Sequence, residues 1–151
     1  MHFEFYGPDL SGSRILAKWV SQRIKGCARG WDNCAGMAIY NDGLAGAVVF
    51  HDYSPEAGTM CMSAAADRPW LNRSILYAMH SYIFNTAACQ LAVMQVSENN
   101  KTMNRIARAY GYRDTVIPRL RGRAEAEIIW TLSDDDWRNS TFNRSEPDGK
   151  T

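Results

Sequence analysis

Residues 91 to 112 constrain the fold more than any other stretch of this chain. The stretch opens with apolar residues typical of a mostly buried strand, namely Leu91, Val93, Met94 and Val96. Asn99 or Asn100 can then cap a helix, because an asparagine side chain accepts a hydrogen bond from an early helical N–H. One helix face follows at i, i+3, i+4 and i+7, formed by Met103, Ile106, Ala107 and Tyr110. Gly111 is placed to end this helix in the left-handed conformation.

The first half of the chain predicts a strand, a helix and three antiparallel strands. Residues 2–6 alternate as a strand does, and Ser11 or Ser13 can cap the next helix. The apolar face of that helix is predicted to contain Ile15, Leu16, Trp19, Val20 and Ile24. Residues 36–40 and 44–50 flank Asp42-Gly43, a strong hairpin signal, and a strand over residues 59–66 follows a second turn.

The second half predicts a long helix from Trp70 to Phe84, the strand and helix of residues 91–110, and two final strands. The final strands fall within residues 113–120 and 124–132, and Pro118 makes the first of them an edge or bent strand. Strands 59–66 and 91–97 should lie side by side and parallel, because a helical crossover returns the chain in the same direction. We expect one mixed sheet in which these two strands splay apart at their C-terminal ends.

Composition indicates a globular domain without a membrane span. Of 151 residues, 46% are hydrophobic and 22% charged, and the chain contains no apolar run long enough to cross a membrane. The first residues lack the layout of a secretory signal, so we expect a cytoplasmic location. We expect a single domain over residues 1–137 and a polar, disordered C-terminal tail over residues 138–151.

Neither the cysteines nor the histidines cluster in the sequence, and we expect no metal site. Cys27, Cys34, Cys61 and Cys89 form no CxxC pair, and the three histidines are scattered. Six arginines do fall close together: Arg105, Arg108, Arg113, Arg119, Arg121 and Arg123. Such a group forms either a solvated face or a phosphate-binding surface.

The element order and two local patterns resemble the GNAT (GCN5-related) family of acyl-CoA-dependent N-acetyltransferases. The first pattern is Asn100-x-x-Met-x-x-Ile-x-x-x-Tyr-Gly111-Tyr112, and the second is Trp70-Leu71-Asn72-Arg73-Ser74 at the start of a helix. The second pattern, with Arg119-Leu-Arg-Gly122, is similar to the branch of ribosomal-protein acetyltransferases. The resemblance covers residues 2–132. It implies an α/β fold with a mixed, mostly antiparallel sheet, one splayed parallel strand pair and helices on both faces.

The resemblance implies a site for acetyl-CoA as co-substrate. It places the coenzyme pyrophosphate against Leu71, Asn72, Arg73 and Ser74, and the pantetheine arm near Asn100. The family's usual pyrophosphate loop is rich in glycine, whereas residues 71–74 contain none. Arg73 can supply a charge-assisted contact in place of close backbone approach. Arg121 is expected to lie away from this site.

The catalytic groups that the resemblance implies are fewer than usual. A backbone N–H near Ser63, Ala64 or Ala65 is implied as the oxyanion contact. The position of the family's tyrosine acid is Ala107, so that proton donor is absent. Tyr110 is a candidate donor, although packing in the core is the alternative. His51 is a candidate base, with an ordinary hydrogen-bonded surface histidine as the alternative.

These features favour an N-acetyltransferase that moves an acetyl group from acetyl-CoA to a primary amine. The acceptor is a small molecule or a protein N-terminus, since the specificity of this fold lies in loops without a readable code. One alternative is a non-catalytic binding module of the same fold, favoured by the missing glycines. The other is a nucleic-acid-modifying protein of this fold, favoured only by the arginines of residues 105–123.

Overall fold

A computed structural model describes residues 1–8 and 10–141. Its strands are β1 (His2–Tyr6), β2 (Ala35–Tyr40), β3 (Leu44–Ser54), β4 (Thr59–Ala66), β5 (Leu91–Ser97), β6 (Arg113–Ile117) and β7 (Glu127–Ser133). Its helices are α1 (Ser11–Ser21), α2 (Arg73–Ser81), which continues into a π-helical turn (Tyr82–Thr86), α3 (Lys101–Tyr110) and α4 (Asp134–Asn139). Most of the predicted tail, residues 142–151, lies outside the described part.

The strands form a seven-stranded sheet in the order β1-β2-β3-β4-β5-β7-β6. Neighbouring strands are antiparallel except β4 and β5, which are parallel as the sequence predicts. The β4–β5 ladder joins Thr59–Met62 to Leu91–Met94 and then stops, although both strands continue. The predicted splayed parallel pair and the mixed α/β fold are therefore confirmed. β6 lies at the edge of the sheet, as Pro118 predicts.

Helices cover both faces of the sheet. On one face, the α2–α3 face, the core includes Ile75 and Met79 of α2, Trp130 of β7 and Trp137 of α4. On the other face, the α1 face, Leu16 and Val20 of α1 pack against Ala47 and Val49 of β3. Ile15, which we expected on the buried side of α1, is 67% exposed. The buried stripe of α1 is therefore narrower than the apolar sequence pattern indicates.

Three helices differ from the sequence prediction: α1 ends at Ser21, before the predicted Ile24, α2 begins late, and α4 is not predicted. The predicted start at Trp70 is wrong: α2 begins at Arg73, because the Asn72 side chain accepts a hydrogen bond from the N–H of Ile75 and caps the helix there. The polar segment after Ser133 forms α4, whose Trp137 is only 1% exposed. One aromatic residue is enough to dock this short helix on the core. None of the described helices is long and apolar enough to span a membrane.

Candidate functional site

A cleft of about 460 Å³ opens where β4 and β5 diverge. Its walls along the two strands are formed by Met62 to Ala66 of β4 and by Met94 to Ser97 of β5. The cleft passes through the sheet. On the α2–α3 face it is lined by Trp70, Met79, Asn99, Asn100 and Met103, and on the α1 face by Arg23, Ile24, Lys25, Arg121 and Glu125.

Backbone groups of β4 point into this cleft. The N–H of Asp67 donates to the carbonyl of Ala45 at 2.8 Å, so the backbone groups of Asp67 face β3. The β3–β4 register is continuous from Gly46–Ala66 to His51–Cys61, and hydrogen-bonding direction alternates along a strand. Ala64 and Ala66 therefore direct their N–H and C=O groups toward β5, beyond the last paired residue of the ladder. Of the predicted oxyanion candidates Ser63, Ala64 and Ala65, only Ala64 directs its N–H into the cleft, and its role as oxyanion contact stays a prediction.

The predicted pyrophosphate segment, residues 71–74, follows Trp70, which lines the cleft, but its own four residues are not among those that line the cleft. Trp70 forms part of the cleft wall and packs over Gly46, where an added Cβ would lie 3.0 Å from the Trp70 ring. Leu71 and Asn72 follow it, and Arg73 and Ser74 form the first turn of α2. Asn72 takes one early N–H of the helix for its own cap, which leaves less of the helix start for a ligand than the sequence indicates.

Asn100 has two roles in the structure. It lines the cleft, and its side-chain oxygen accepts a hydrogen bond from the N–H of Met103 at 3.1 Å, which caps α3 as predicted. Gly111 ends this helix with φ 113°, also as predicted. Because the oxygen is used by the cap, a ligand in the cleft meets Asn100 through its amide NH₂ group, which is a donor.

His51 is a buried histidine of β3 that contacts a residue lining the cleft. His51 is 8% exposed, and its Nε2 lies 2.8 Å from the Oγ of Ser63, a residue that lines the cleft. Its Nδ1 lies 2.5 Å from Oδ2 of Asp52. The Trp31 ring stacks on the imidazole, with ring centroids 4.9 Å apart. The side chain of His51 is thus held on both nitrogens and on one ring face.

The partners of His51 assign its tautomer. A carboxylate can only accept, so Nδ1 carries the proton that is donated to Asp52, and Nε2 is left to accept from the Ser63 hydroxyl. Burial lowers the pKa of His51 below its ordinary value, although the hydrogen bond with Asp52 acts in the opposite direction. The imidazole is therefore neutral at pH 7 and able to accept a proton through Nε2.

Asp52 reaches His51 because β3 is irregular at this point. Adjacent residues of a regular strand point to opposite faces. Asp52 has φ 52°, and the β3–β4 register shifts between His51 and Ser54. His51, Asp52 and Cys61 each offer one atom that can bind a metal, and these three atoms lie within 4.8 Å of one another. The positions of the three residues in the sequence do not indicate this grouping. In the present arrangement Nδ1 is a donor to Asp52, so it is not available as a ligand.

Tyr110, the sequence candidate for a proton donor, lies in the core between helices. It is 5% exposed, its hydroxyl accepts a hydrogen bond from Trp137 Nε1 at 3.1 Å, and its ring lies against His80. The cleft is lined by Met103 of the same helix, one turn or more from Tyr110. Its position favours the alternative of core packing, and a role as proton donor stays a prediction.

Within the arginine-rich segment, residues 105–123, several arginines are paired with carboxylates, and one arginine lines the cleft. Arg108 pairs with Asp114 and Arg113 with Asp136. Arg121 pairs with Glu127 and donates to the carbonyl of Lys25 at 3.3 Å, and it lines the cleft. The expectation that Arg121 lies away from the site is therefore wrong. The loop between β6 and β7 folds back onto the loop after α1, which the local sequence does not reveal.

Sequence reasoning missed the contributions of Asp52 and Trp31 and gave no partner for His51. The available signal was the pairing of β3 with β4. In the register of these two strands, His51 lies opposite Cys61 and diagonal to Ser63. The position of Asp52 depends on a left-handed backbone conformation, and that of Trp31 on an irregular loop. Neither has a sequence signature.

Solved structures share this fold at very low sequence identity. A probable acetyltransferase has a TM-score of 0.57 at 12% identity, with 69% of this chain and 63% of that chain covered. A GCN5-related N-acetyltransferase from Brucella melitensis has a TM-score of 0.59 at 14% identity, with 74% and 55% covered. A dodecameric spermidine N-acetyltransferase from Vibrio cholerae has a TM-score of 0.68 at 10% identity, with 92% and 98% covered.

These similarities concern the fold. No protein-family model and no curated protein sequence matches the chain. The chain spans less than two thirds of the first two proteins and nearly all of the third. The mixed sheet with its splayed parallel pair is thus a fold found in GNAT acetyltransferases, and the chemistry of this chain has to be argued from its own cleft.

Proposed function

We propose that the protein is an acyl-CoA-dependent N-acetyltransferase that moves an acetyl group from acetyl-CoA to a primary amine. The observation that carries this proposal is the cleft between β4 and β5, into which Ala64 and Ala66 direct backbone groups beyond the end of the ladder. An extended, amide-containing arm such as pantetheine pairs with such a strand edge by main-chain hydrogen bonds. The fold shared with acetyltransferases adds support.

We propose that the residues following Trp70 at the start of α2 hold the polar end of the coenzyme. Ser74 and Arg73 lie in the first turn of α2, where backbone N–H groups and the positive end of the helix dipole favour an anion. The guanidinium of Arg73 adds a charge-assisted contact to the pyrophosphate. Asn100 donates its amide to the pantetheine arm as the arm enters the cleft. No glycine is needed if the arginine side chain replaces close backbone approach.

The reaction then needs a stabilised oxyanion and a neutral amine. The N–H of Ala64 is the donor for the negative charge that develops on the thioester oxygen. The acceptor enters from the α1 face, where the cleft is lined by Arg23, Lys25, Arg121 and Glu125. Arg23 is paired with Asp67, so this mouth carries charges of both signs. The acceptor class is a primary amine, on a small molecule or at a protein N-terminus.

A non-catalytic binding module is the second candidate. It is favoured by one observation: Asn72 caps α2 with its own side chain, and residues 71–74 contain no glycine. Both features reduce the room for a pyrophosphate. A nucleic-acid-modifying function ranks last, because Arg108, Arg113 and Arg121 are paired with carboxylates.

Thermal unfolding with and without acetyl-CoA tests the proposal. A ligand at about a hundred times its dissociation constant stabilises the folded state by roughly 2.7 kcal/mol, and we expect a clear upward shift of Tm. Release of free thiol with a panel of primary amines then separates a transferase from a binding module. A Tm that does not change with acetyl-CoA would reject the cleft as its site.

Calorimetric titration of variants locates the coenzyme. We expect Arg73→Ala to weaken acetyl-CoA binding by about 1.5–3 kcal/mol, because a charge-assisted contact is lost. Asn100→Ala should lose roughly 1 kcal/mol, as a neutral hydrogen bond would. The matched control is Arg113→Ala, an exposed arginine of the edge strand β6 that pairs with Asp136. Equal affinities of Arg73→Ala and Arg113→Ala would contradict the assigned pyrophosphate site.

A further inference from the structure

Asp52, His51 and Ser63 form a continuous hydrogen-bonded line that ends in the cleft. The carboxylate binds Nδ1 at 2.5 Å, and Nε2 lies 2.8 Å from Ser63 Oγ. This is the order in which an acid, an imidazole and a hydroxyl are joined when the hydroxyl acts as a nucleophile. The imidazole is buried and stacked under Trp31, so its orientation is fixed before any substrate binds.

We propose that Ser63 is an acyl-accepting nucleophile, activated by His51 and Asp52, that takes the acyl group from a thioester or activated ester in the cleft. This inference rests on the proposed function for the natural donor, acetyl-CoA. The serine relay itself also acts on small activated esters. It predicts a covalent acyl-serine, whereas direct transfer to an amine needs no such intermediate.

The neighbouring backbone fits this chemistry. Ser63 places its hydroxyl on the α1 face, while the next residue, Ala64, directs its N–H into the cleft. A nucleophile followed directly by the N–H that stabilises the oxyanion is a recurring arrangement in acyl-transfer sites. Asp52 is held in a left-handed conformation at φ 52° to make its contact with His51.

The proposed step balances as an acyl transfer. Ser63 Oγ forms a bond to the carbonyl carbon while its proton passes to His51 Nε2, and the C–S bond then breaks as the thiolate takes that proton. In the second half, an amine or water attacks the acyl-serine. Its proton returns through Nε2 to Ser63 Oγ as the C–O bond breaks. Asp52 keeps Nδ1 protonated throughout and stabilises the transient imidazolium.

Among the described residues, the titratable groups near His51 come from several elements, and Tyr53 and Tyr82 line the same pocket as His51. Asp52 lies beside it on β3, Cys61 opposes it on β4, and Asp32 lines the same pocket from the loop before β2. The thiol of Cys61 is also a competing acyl acceptor. Burial raises the pKa of Cys61, which lowers its thiolate fraction. Experiments in a Cys61→Ala background remove this competition.

The test uses the full chain in that background with a fluorophosphonate, which phosphonylates activated serines. We expect Ser63 to be labelled, with no label on Ser63→Ala and wild-type labelling of the exposed control variant Ser11→Ala. His51→Gln should slow labelling about a hundredfold or more, as loss of a general base does. Circular dichroism melts of each variant separate loss of reactivity from loss of fold. A chelating agent should leave labelling unchanged.

The pH profile distinguishes a relay from a structural hydrogen bond. Labelling should rise as His51 loses its proton, and Asp52→Asn should move this rise to lower pH, because the carboxylate favours the imidazolium. If His51 took no part in the labelling reaction, Asp52→Asn would leave the profile in place. Absence of label on folded protein, an unshifted profile, or loss of labelling with a chelating agent would each overturn the proposal.

A second arm with acetyl-CoA alone separates this proposal from the proposed function. Peptide mass analysis should show an acetyl group on the Ser63 peptide of the chain and none on Ser63→Ala. Labelling by the fluorophosphonate without any binding of acetyl-CoA would keep the relay and reject the coenzyme site. Transfer from acetyl-CoA to an amine with no modification of Ser63 by either reagent would keep the transferase and reject the relay.

Discussion

The surroundings of the buried residue His80 constrain the charge and the hydrogen bonds of its side chain. His80 of α2 is 1% exposed, its Nδ1 donates to the carbonyl of Leu76 at 2.7 Å, and its Nε2 accepts from the Tyr112 hydroxyl at 2.5 Å. Burial lowers the pKa of His80 from 6.5 to about 4. The neutral imidazole is fully satisfied, whereas a charged one would be buried without a counterion among the described residues.

His80 therefore predicts a loss of stability in mild acid. Between pH 6.5 and about 4 the unfolded chain binds a proton that the folded chain does not, so the free energy of unfolding falls as the pH falls. The full contribution is present above pH 6.5, and the loss by pH 4 is at most about 3 kcal/mol. Urea unfolding at a series of pH values measures it.

Variants isolate the contribution of His80 from that of other groups. His80→Gln, although less stable at neutral pH, should show a shallower pH dependence than the wild type. His51 titrates with the same sign, so some dependence will remain. His2→Gln is the matched control, because His2 is exposed on β1. An identical slope in the wild type and His80→Gln would contradict the assignment.

At the scale of elements, side-chain caps mark the start of α2, α3 and α4, whereas α1 begins after Leu10 without the side-chain cap predicted from Ser11 or Ser13. Asn72, Asn100 and Ser133 each accept a hydrogen bond from the N–H three residues later. The Asn100 cap places the first turn of α3 at the cleft, where Asn100 and Met103 line it. Moving a helix start by one residue would rotate the groups that line the cleft.

Removal of a cap should therefore reduce stability without removing side-chain packing. We expect Asn72→Ala and Asn100→Ala each to lower the free energy of unfolding by about 1 kcal/mol. Asn100→Asp keeps the capping oxygen and should retain that stability. It also replaces the amide donor with an acceptor, so it should weaken acetyl-CoA binding as Asn100→Ala does. Chemical denaturation and titration measure both effects, and equal affinity of Asn100→Asp and wild type would reject the amide contact.

At the scale of the whole molecule, the sheet is continuous at one end and split at the other. β4 stays paired with β3 up to Ala66, and β5 stays paired with β7 up to Ser97, while β4 and β5 separate after Met62 and Met94. The cleft is therefore held open by two intact half-sheets. It has one mouth on each face, so a donor and an acceptor can approach from opposite sides.

Hydrogen exchange should reveal this split as an alternating pattern along β4. The amides of Ala64 and Ala66 face the cleft and should exchange fast, whereas those of Ser63 and Ala65 face β3 and should be protected. Acetyl-CoA should slow exchange at Ala64 and leave Ser63 unchanged. Uniform protection from Ser63 to Ala66 in the free protein would show that the strands remain paired there.

The sequence by itself determined the strands, most of the helices and the parallel pair, because these depend on local signals. Strand 59–66 and the hairpin turn at Asp42-Gly43 occur as predicted, with φ 58° and 100° at the turn, and α3 begins after Asn100. Caps, turns and hydrophobic periodicity act over a few residues, so a short stretch contains the whole signal. The helical crossover between β4 and β5 then fixes their relative direction.

Only the tertiary structure decided which side chains meet at the candidate site. His51, Asp52 and Ser63 come together through a strand register and a left-handed residue, and Arg121 reaches the cleft through a loop that folds back on Lys25. The burial of Trp137 depends likewise on a core built from distant elements. These contacts either join residues that are far apart in the chain or depend on the left-handed backbone conformation of one residue. Such features leave no periodic pattern in the sequence.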